Sequence, residues 1–442
     1  MREILDKPSI KGLIAENTRF YNALFFSTLS AVVSQGLNFL TLILITRKVG
    51  ESNIGHFSVI QSIVLLLASF GLLGQNVSSA ALTSRFKKRY PNNLGLLIGN
   101  AYMLSGVVLL LVGVIVIISA DRLFPEIYLD SFPNLAILAF VLLWTFAMTF
   151  DMMQVNIMIG LEAYRDLVKT DTLKGLISIT LIYPLSIRYG TIGIVAGYLI
   201  SCSIGVMMNQ FYIRKNLRLL NVTVRLKYSP RIIRRIIGIG LPIFTASLLI
   251  SFATWLTNKM IFAESNGAAA LGIVFVCRQI MALIQFFPVQ ISRVLLPIIS
   301  EDRDVQNIKK VRITSLITVV AISILLAVVG VLFEDSILMV FKVEVVLASW
   351  PYRIILLSVI FSSVNMILGQ FIIAGKNPWI RALADFIISL AMICITFLLK
   401  GNYLFTALPW ALLISYILSD IILVINIRGK PFSINGLTSN SM

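Results

Sequence analysis

Runs of about 20 apolar residues recur from one end of this chain to the other, and each could cross a hydrocarbon core of roughly 30 Å as a helix. Twelve are predicted, over 23–46, 57–82, 94–118, 135–160, 172–187, 191–212, 239–262, 270–297, 313–333, 354–373, 380–399 and 404–427. The fifth and sixth are separated only by Arg188, Tyr189 and Gly190, and Pro184 shortens the fifth. Of the 442 residues 58% are hydrophobic and 13% charged, against about 45–50% and about 25% in a soluble domain. No compact soluble domain interrupts the runs. The fold class expected is an all-α polytopic membrane protein of about twelve transmembrane helices.

The first 22 residues mix Arg2, Lys7, Lys11 and Arg19 with Glu3, Asp6 and Glu16. They lack the short apolar core and small-residue cleavage site of a signal peptide, and read as an amphipathic helix on the cytoplasmic surface. Loop charges set the orientation. With the N-terminus inside, the inner segments carry 27 Lys and Arg and the outer loops 7. Both termini are then cytoplasmic. The same bias explains a net charge of +17 without nucleic acid. Segment 213–238 holds eight bases and no acid, which fits topology and contact with anionic membrane lipids. It divides the chain into an N-lobe at 23–212 and a C-lobe at 239–427, with a cytoplasmic tail at 428–442.

The two halves read as repeats. Helix 1 carries Ser27, Ser34, Asn38 and Thr41 on one face, and helix 7 carries Ser247, Ser251, Thr254 and Asn258. Asn38 and Asn258 correspond 220 residues apart, Gly55 and Gly272 at 217, and Gly160 and Gly375 at 215. Inverted or parallel repeats with a substrate site between them are common in secondary transporters. Small polar residues also permit close helix packing; the two matching stripes favour a shared, pseudo-symmetric cavity between two six-helix lobes.

Ionisable residues at membrane depth usually face a cavity or a partner. Six stand out: Asp151, Lys259, Arg278, Arg293, Asp385 and Asp420. Arg278, Gln285, Ser292 and Arg293 share about a 100° arc of helix 8, which Pro288 interrupts. Arginine suits bidentate phosphate binding, and Arg278 occupies the repeat position of Gln61. Arg278 reads either as a contact for an anionic substrate or lipid head, or as a structural pair with an aspartate or helix carbonyls. Each aspartate could bind a coupling cation, gate the inner mouth with Arg293, or contact loop bases.

No catalytic constellation is present. There is no phosphate loop, and Cys202, Cys277 and Cys394 fall in apolar runs where a thiol acts as a small hydrophobe. The lone His56 falls in a loop and reads as a surface residue. Neither metal nor cofactor is expected, and the chain reads as a transporter rather than an enzyme.

Several stretches resemble the polysaccharide flippases, of O-antigen (Wzx) type, of the multidrug/oligosaccharidyl-lipid/polysaccharide (MOP) exporter superfamily. They are Ile45-Thr46-Arg47-Lys48-Val49-Gly50 with Gly55-His56-Phe57-Ser58, Gly240-Leu241-Pro242, Gly267 to Gly272 with Arg278-Gln279-Ile280 and Pro288, Leu296-Pro297, Gly160-Leu161-Glu162-Ala163-Tyr164-Arg165, and Ala374-Gly375-Lys376-Asn377. Together they cover nearly the whole chain, though each alone is loose. The resemblance implies flipping of a polyprenyl-diphosphate-linked oligosaccharide, such as an O-antigen or lipopolysaccharide repeat unit, across the bacterial inner membrane. It implies an ion gradient or the membrane potential as driving force, and a polymerase and chain-length regulator as pathway partners. Carried onto this sequence, Arg278 is the leading diphosphate or acidic-sugar contact, followed by Lys259 and Arg47, with Asn38, Asn258, Gln61, Gln285 and Arg293 completing the lining. Two alternatives remain: a cation-coupled multidrug or metabolite antiporter of the same superfamily, which needs an acidic cavity, and a membrane polymerase or glycosyltransferase, which needs a large outer loop or carboxylate pair.

Overall fold

A computed structural model of the chain describes residues 10–127, 134–301, 305–374 and 378–429. Among them there are only helices. In chain order these are α1 (Ile10–Val49), α2 (Glu51–Leu72), α3 (Gln75–Arg89), α4 (Pro91–Leu123), a short turn at Pro125–Ile127, α5 (Asn134–Leu161), α6 (Tyr164–Leu219) and α7 (Pro230–Phe262). The second half adds α8 (Gly267–Ile284), α9 (Phe286–Glu301), α10 (Val305–Leu332), α11 (Glu334–Phe341), α12 (Val345–Ala374), α13 (Pro378–Leu399) and α14 (Leu404–Gly429).

Eleven of these helices are long and apolar enough to cross a membrane. One of them, α6, runs for 56 residues, or about 84 Å at 1.5 Å per residue, twice what a bilayer takes. It turns at Gly190, whose φ of 56° and ψ of −132° suit glycine alone, and so supplies two crossings. The expected twelve spans are therefore present.

Their ends differ from the sequence reading. Helices continue past the hydrophobic runs into polar residues, because backbone hydrogen bonds do not stop where side chains become charged. α1 extends back to Ile10 without a break, α2 starts at Glu51 and α7 at Pro230. Most of segment 213–238 is thus helical. Helix 2 divides at Leu73 and Gly74, both with positive φ. Helix 8 divides at Gln285, where Pro288 cannot donate to the Ile284 carbonyl. The short α11 and its turn were invisible as a span because eight residues cannot cross a membrane.

The six-plus-six grouping is built into the packing. α1 pairs with the first part of α6 as α7 pairs with α13; α5 packs on α6 as α12 packs on α14. The lobes meet through α2 and α8. A methyl group on Gly55 would lie 1.8 Å from the Ala268 carbonyl oxygen, and one on Gly272 would lie 2.0 Å from that of Glu51. The 217-residue offset that relates Gly55 to Gly272 also relates Glu51 to Ala268. This is a pseudo-two-fold contact of backbone on backbone, which only residues without a side chain allow.

Beside it Phe275 meets Phe57 edge-on with ring centroids 5.8 Å apart, and Phe57 stacks with Tyr198 and Trp144. His56, expected on the surface, is partly buried here with its ring edge-on to Phe262. One continuous apolar core joins both lobes at this end. At the other end, where Lys87–Arg89 and the inter-lobe loop lie, the core splits. One part belongs to the N-lobe and the start of α7, and two smaller parts belong to the C-lobe. The lobes share one core away from this basic face and have separate cores toward it, with the Leu73–Gly74 break still meeting Gly240 of α7 backbone to backbone.

Substituting Gly272→Val should destabilise the protein by about 1–3 kcal/mol, the usual cost of overpacking. Gly36, which has no neighbouring atom within 4 Å of an added methyl, should tolerate alanine. Thermal unfolding of the purified variants followed by tryptophan fluorescence checks both; equal midpoints for the two would remove the seal from this account.

Candidate functional site

Arg278 lies six residues beyond Gly272 on α8, about 9 Å along the axis, beside the shared core that continues to Ile284. Its side chain is partly exposed. It makes no hydrogen bond or ion pair among the described residues. The Tyr416 phenol of α14 is the ionisable group within reach of its charge. A cation at membrane depth is costly, and its cost is normally offset by a partner. An anionic ligand in the cleft would supply one.

The other residues singled out from sequence are dispersed. Gln285 donates through Nε2 to Ser362 Oγ of α12 at 2.6 Å, which turns it into the C-lobe. Gln61 is partly buried on α2. Asn38 is exposed whereas Asn258 is 2% exposed, so the two amides expected to correspond have different surroundings. Lys259 donates to the Leu123 carbonyl at the end of α4 (3.0 Å) and lies over the Trp255 ring. Cations are favoured at helix C-termini, and this lysine ties α7 to the N-lobe at the sealed end. Arg47 is exposed in the last turn of α1. The side chain of Arg293 lies outside the described ones. Of the four described cations and carboxylates read at mid-depth, Asp151 and Asp385 are ion-paired, Asp420 is held by the neutral Asn365 amide, and Arg278 makes neither a hydrogen bond nor an ion pair among the described residues.

The three aspartates fall into two buried clusters. In the N-lobe, Lys174 meets Asp151 at 2.5 Å, and Asn209 Nδ2 donates to the other oxygen of Asp151 at 3.0 Å. One turn before Lys174, Asp171 accepts the Ser30 hydroxyl of α1 and lies within the field of Lys174. In the C-lobe, Arg381 reaches Asp385 at 2.7 Å and donates to the Asn365 side-chain carbonyl at 2.8 Å. Asn365 in turn donates to Asp420 Oδ1 (3.0 Å) and Ser419 Oγ (2.7 Å). Asp420 Oδ2 has no hydrogen-bond partner among the described residues.

The two clusters occupy matching places. Each draws on the fourth, fifth and sixth helix of its lobe, and each has two carboxylates against one base. With all groups ionised each lobe carries one buried negative charge in excess. A glycine makes room in each: a methyl on Gly205 would lie 2.7 Å from Asp151 Oδ1, and one on Gly369 would lie 2.5 Å from an Arg381 nitrogen. The C-lobe cluster also communicates with Arg278, because Tyr416 senses the charges of Arg278, Arg381, Asp385 and Asp420 together.

Lys174 and Arg381, expected in the inner loops from their sequence positions, are instead the bases of the two clusters. The signal available was spacing. Asp171 and Lys174 are three apart and Arg381 and Asp385 four apart, on helices that begin earlier than hydropathy suggested. Moving both inward leaves 25 inner bases against 7.

Breaking a buried pair leaves one charge uncompensated and costs about 3–5 kcal/mol. Lys174→Met should therefore abolish accumulation of folded protein, while the double change Lys174→Met with Asp151→Asn should recover much of it. Fluorescence-detected size-exclusion of tagged variants measures this, and a folded yield of the single variant equal to wild type would contradict the pairing.

Comparison with known proteins fits this architecture. Residues 22–303 match the family described as polysaccharide biosynthesis protein. No curated protein matches the chain by sequence. Among solved structures, the crystal structure of MATE in the bent conformation superposes with a TM-score of 0.63 at 15% identity, covering 92% of this chain and 95% of that one. A MOP superfamily transporter from Pyrococcus furiosus, whose binding pocket is described as reversed in polarity and suggestive of a different function, gives 0.67 at 15%, covering 92% and 96%. The outward-facing conformation of a multidrug resistance MATE family transporter gives 0.65 at 14%, covering 92% and 96%. The fold is thus that of MOP superfamily transporters, and the chain belongs to the polysaccharide biosynthesis protein family.

Proposed function

We propose that the chain is a flippase that carries polyprenyl-diphosphate-linked oligosaccharide repeat units, of O-antigen or a related surface polysaccharide, across the bacterial inner membrane by alternating access. The observation that carries this reading is Arg278, a cation without a counter-charge at the head of the cleft. With the basic face cytoplasmic, as its charge bias demands, the cleft opens inward and the seal faces out. A lipid-linked substrate then enters with its sugar in the cleft, its diphosphate on the Arg278 guanidinium and its tail in lipid. Guanidinium–phosphate pairing can be bidentate and charge-assisted.

Opening the other side requires the Gly55–Gly272 seal to part while the halves around the inner mouth close. An inside-negative potential favours outward transfer of the diphosphate by about 2.3 kcal/mol per charge at 100 mV. The carboxylate clusters provide a further coupling. While Arg278 is unoccupied its charge partly balances the C-lobe excess through Tyr416. Once an anion takes Arg278, the cluster gains affinity for a proton or small cation.

Those clusters also support a second reading, a cation-coupled antiporter of the same fold. The two differ in what Arg278 does. In liposomes holding a fluorescent lipid-linked oligosaccharide, Arg278→Ala should slow flipping at least about tenfold, the lower range for losing a buried charged partner. Arg278→Lys should keep part of the rate, because lysine is a point charge without the guanidinium fork. In the source strain, deleting the gene should leave lipid-linked units on the cytoplasmic face. Units translocated but unpolymerised would instead mark a polymerase. Efflux of organic cations unaffected by Arg278→Ala, with no lipid flipping, would favour the antiporter.

A further inference from the structure

We infer that residues 220–229, between the lobes, form a preformed docking strip for the head groups of anionic phospholipids. A polybasic loop is usually a flexible tether, but this one is fixed. After a turn at Leu220 and Asn221 its backbone lies along the first turns of α4. Every second carbonyl faces that helix. A methyl on Gly95 would come 1.9 Å from the Thr223 oxygen, and one on Gly99 2.1 Å from that of Arg225. Asn100 Nδ2 donates to the Lys227 carbonyl at 2.8 Å. Two further bonds close the strip, Arg225 N–H to the Gly95 carbonyl at 3.1 Å and Ser229 N–H to Asn100 Oδ1 at 2.9 Å. Val222 is buried beneath it in the N-lobe core.

This clamp presents a defined outer surface. Arg225, Leu226, Lys227 and Tyr228 are exposed, Leu226 by 70% and Tyr228 by 64%. Arg231 and Arg234 continue it onto the first turns of α7. That helix end is itself electropositive and has no acidic residue in its first turn. None of these four bases forms an ion pair among the described residues. Nearby acids are engaged elsewhere: Glu162 lies 3.6 Å from Lys87 and Asp166 accepts from Asn216 at 3.0 Å.

Depth selects the partner. Gly95 to Asn100 lie about 6–14 Å along α4 from its start, where the apolar run begins, so the strip is at the boundary of the hydrocarbon core. Exposed leucine and tyrosine at that height meet acyl chains and head groups rather than water. Bases interleaved with them match a negatively charged lipid surface. A soluble acidic protein would satisfy the bases but not the apolar side chains.

Native mass spectrometry of the full-length protein with phosphatidylglycerol or phosphatidylcholine tests this. Wild type should retain phosphatidylglycerol preferentially, and the variant Arg225→Gln/Lys227→Gln/Arg231→Gln/Arg234→Gln should lose the preference by at least about fivefold. Asn100→Ala keeps every base but releases the strip, and should lose most of the preference too, with an unchanged size-exclusion profile. Wild-type retention in Asn100→Ala would overturn the preformed strip in favour of diffuse attraction. Loss of phosphatidylglycerol in Arg278→Ala would place the lipid in the cleft instead. Displacement of the lipid by a soluble glutamate decapeptide at equal concentration would point to a protein partner and also overturn the proposal.

Discussion

The approach of α2 to α8 at Gly55 and Gly272 governs the remainder of the molecule. Two helices meet there backbone to backbone, and the same residue offset serves both sides of the contact. In lipid there is no hydrophobic gain from bringing helices together, so close packing of small residues is what holds them. With this point fixed, the ring group around Phe57 fills the shared core at one end, while toward the other the lobes keep separate cores. Arg278 falls just below the contact for the same reason. It belongs to α8, and α8 is committed to the seal a turn and a half earlier.

The charged groups obey a different constraint. Lys174 with Asp151, and Arg381 with Asp385, are hydrogen-bonded within their own lobes. Buried pairs of this kind add little net stability compared with apolar packing, but they are costly to break. Each lobe can therefore move as a unit while its cluster stays intact.

Much of this was legible in the sequence. Hydropathy located twelve spans because a bilayer demands a fixed length of apolar side chain. Gly55 and Gly272 were matched by spacing alone, and the fold brings both into one contact. What spacing could not show was how far helices continue beyond their apolar runs. That is why Lys174 and Arg381 were read as loop bases and the clusters went unseen. Nor could it show which way a side chain turns. Lys259 and Arg47 have the charge expected of a lining residue, yet one caps a helix at the sealed end and the other is exposed in a last turn. Asn38 and Asn258, paired by spacing, differ in environment, the first exposed and the second buried.

The two helices that form the seal are also the two that are broken, α2–α3 at Leu73–Gly74 and α8–α9 at Gln285. An unbroken rod of the length of α8 and α9 together would span about 50 Å, and any tilt at one end would appear in full at the other. An elbow near the middle shortens the lever. Bending is then concentrated near two points, one where Leu73 and Gly74 take positive φ and one where Pro288 has no amide to donate. The stiffness of the molecule is thus unevenly distributed, with its breaks in the same helix pair that holds the lobes together.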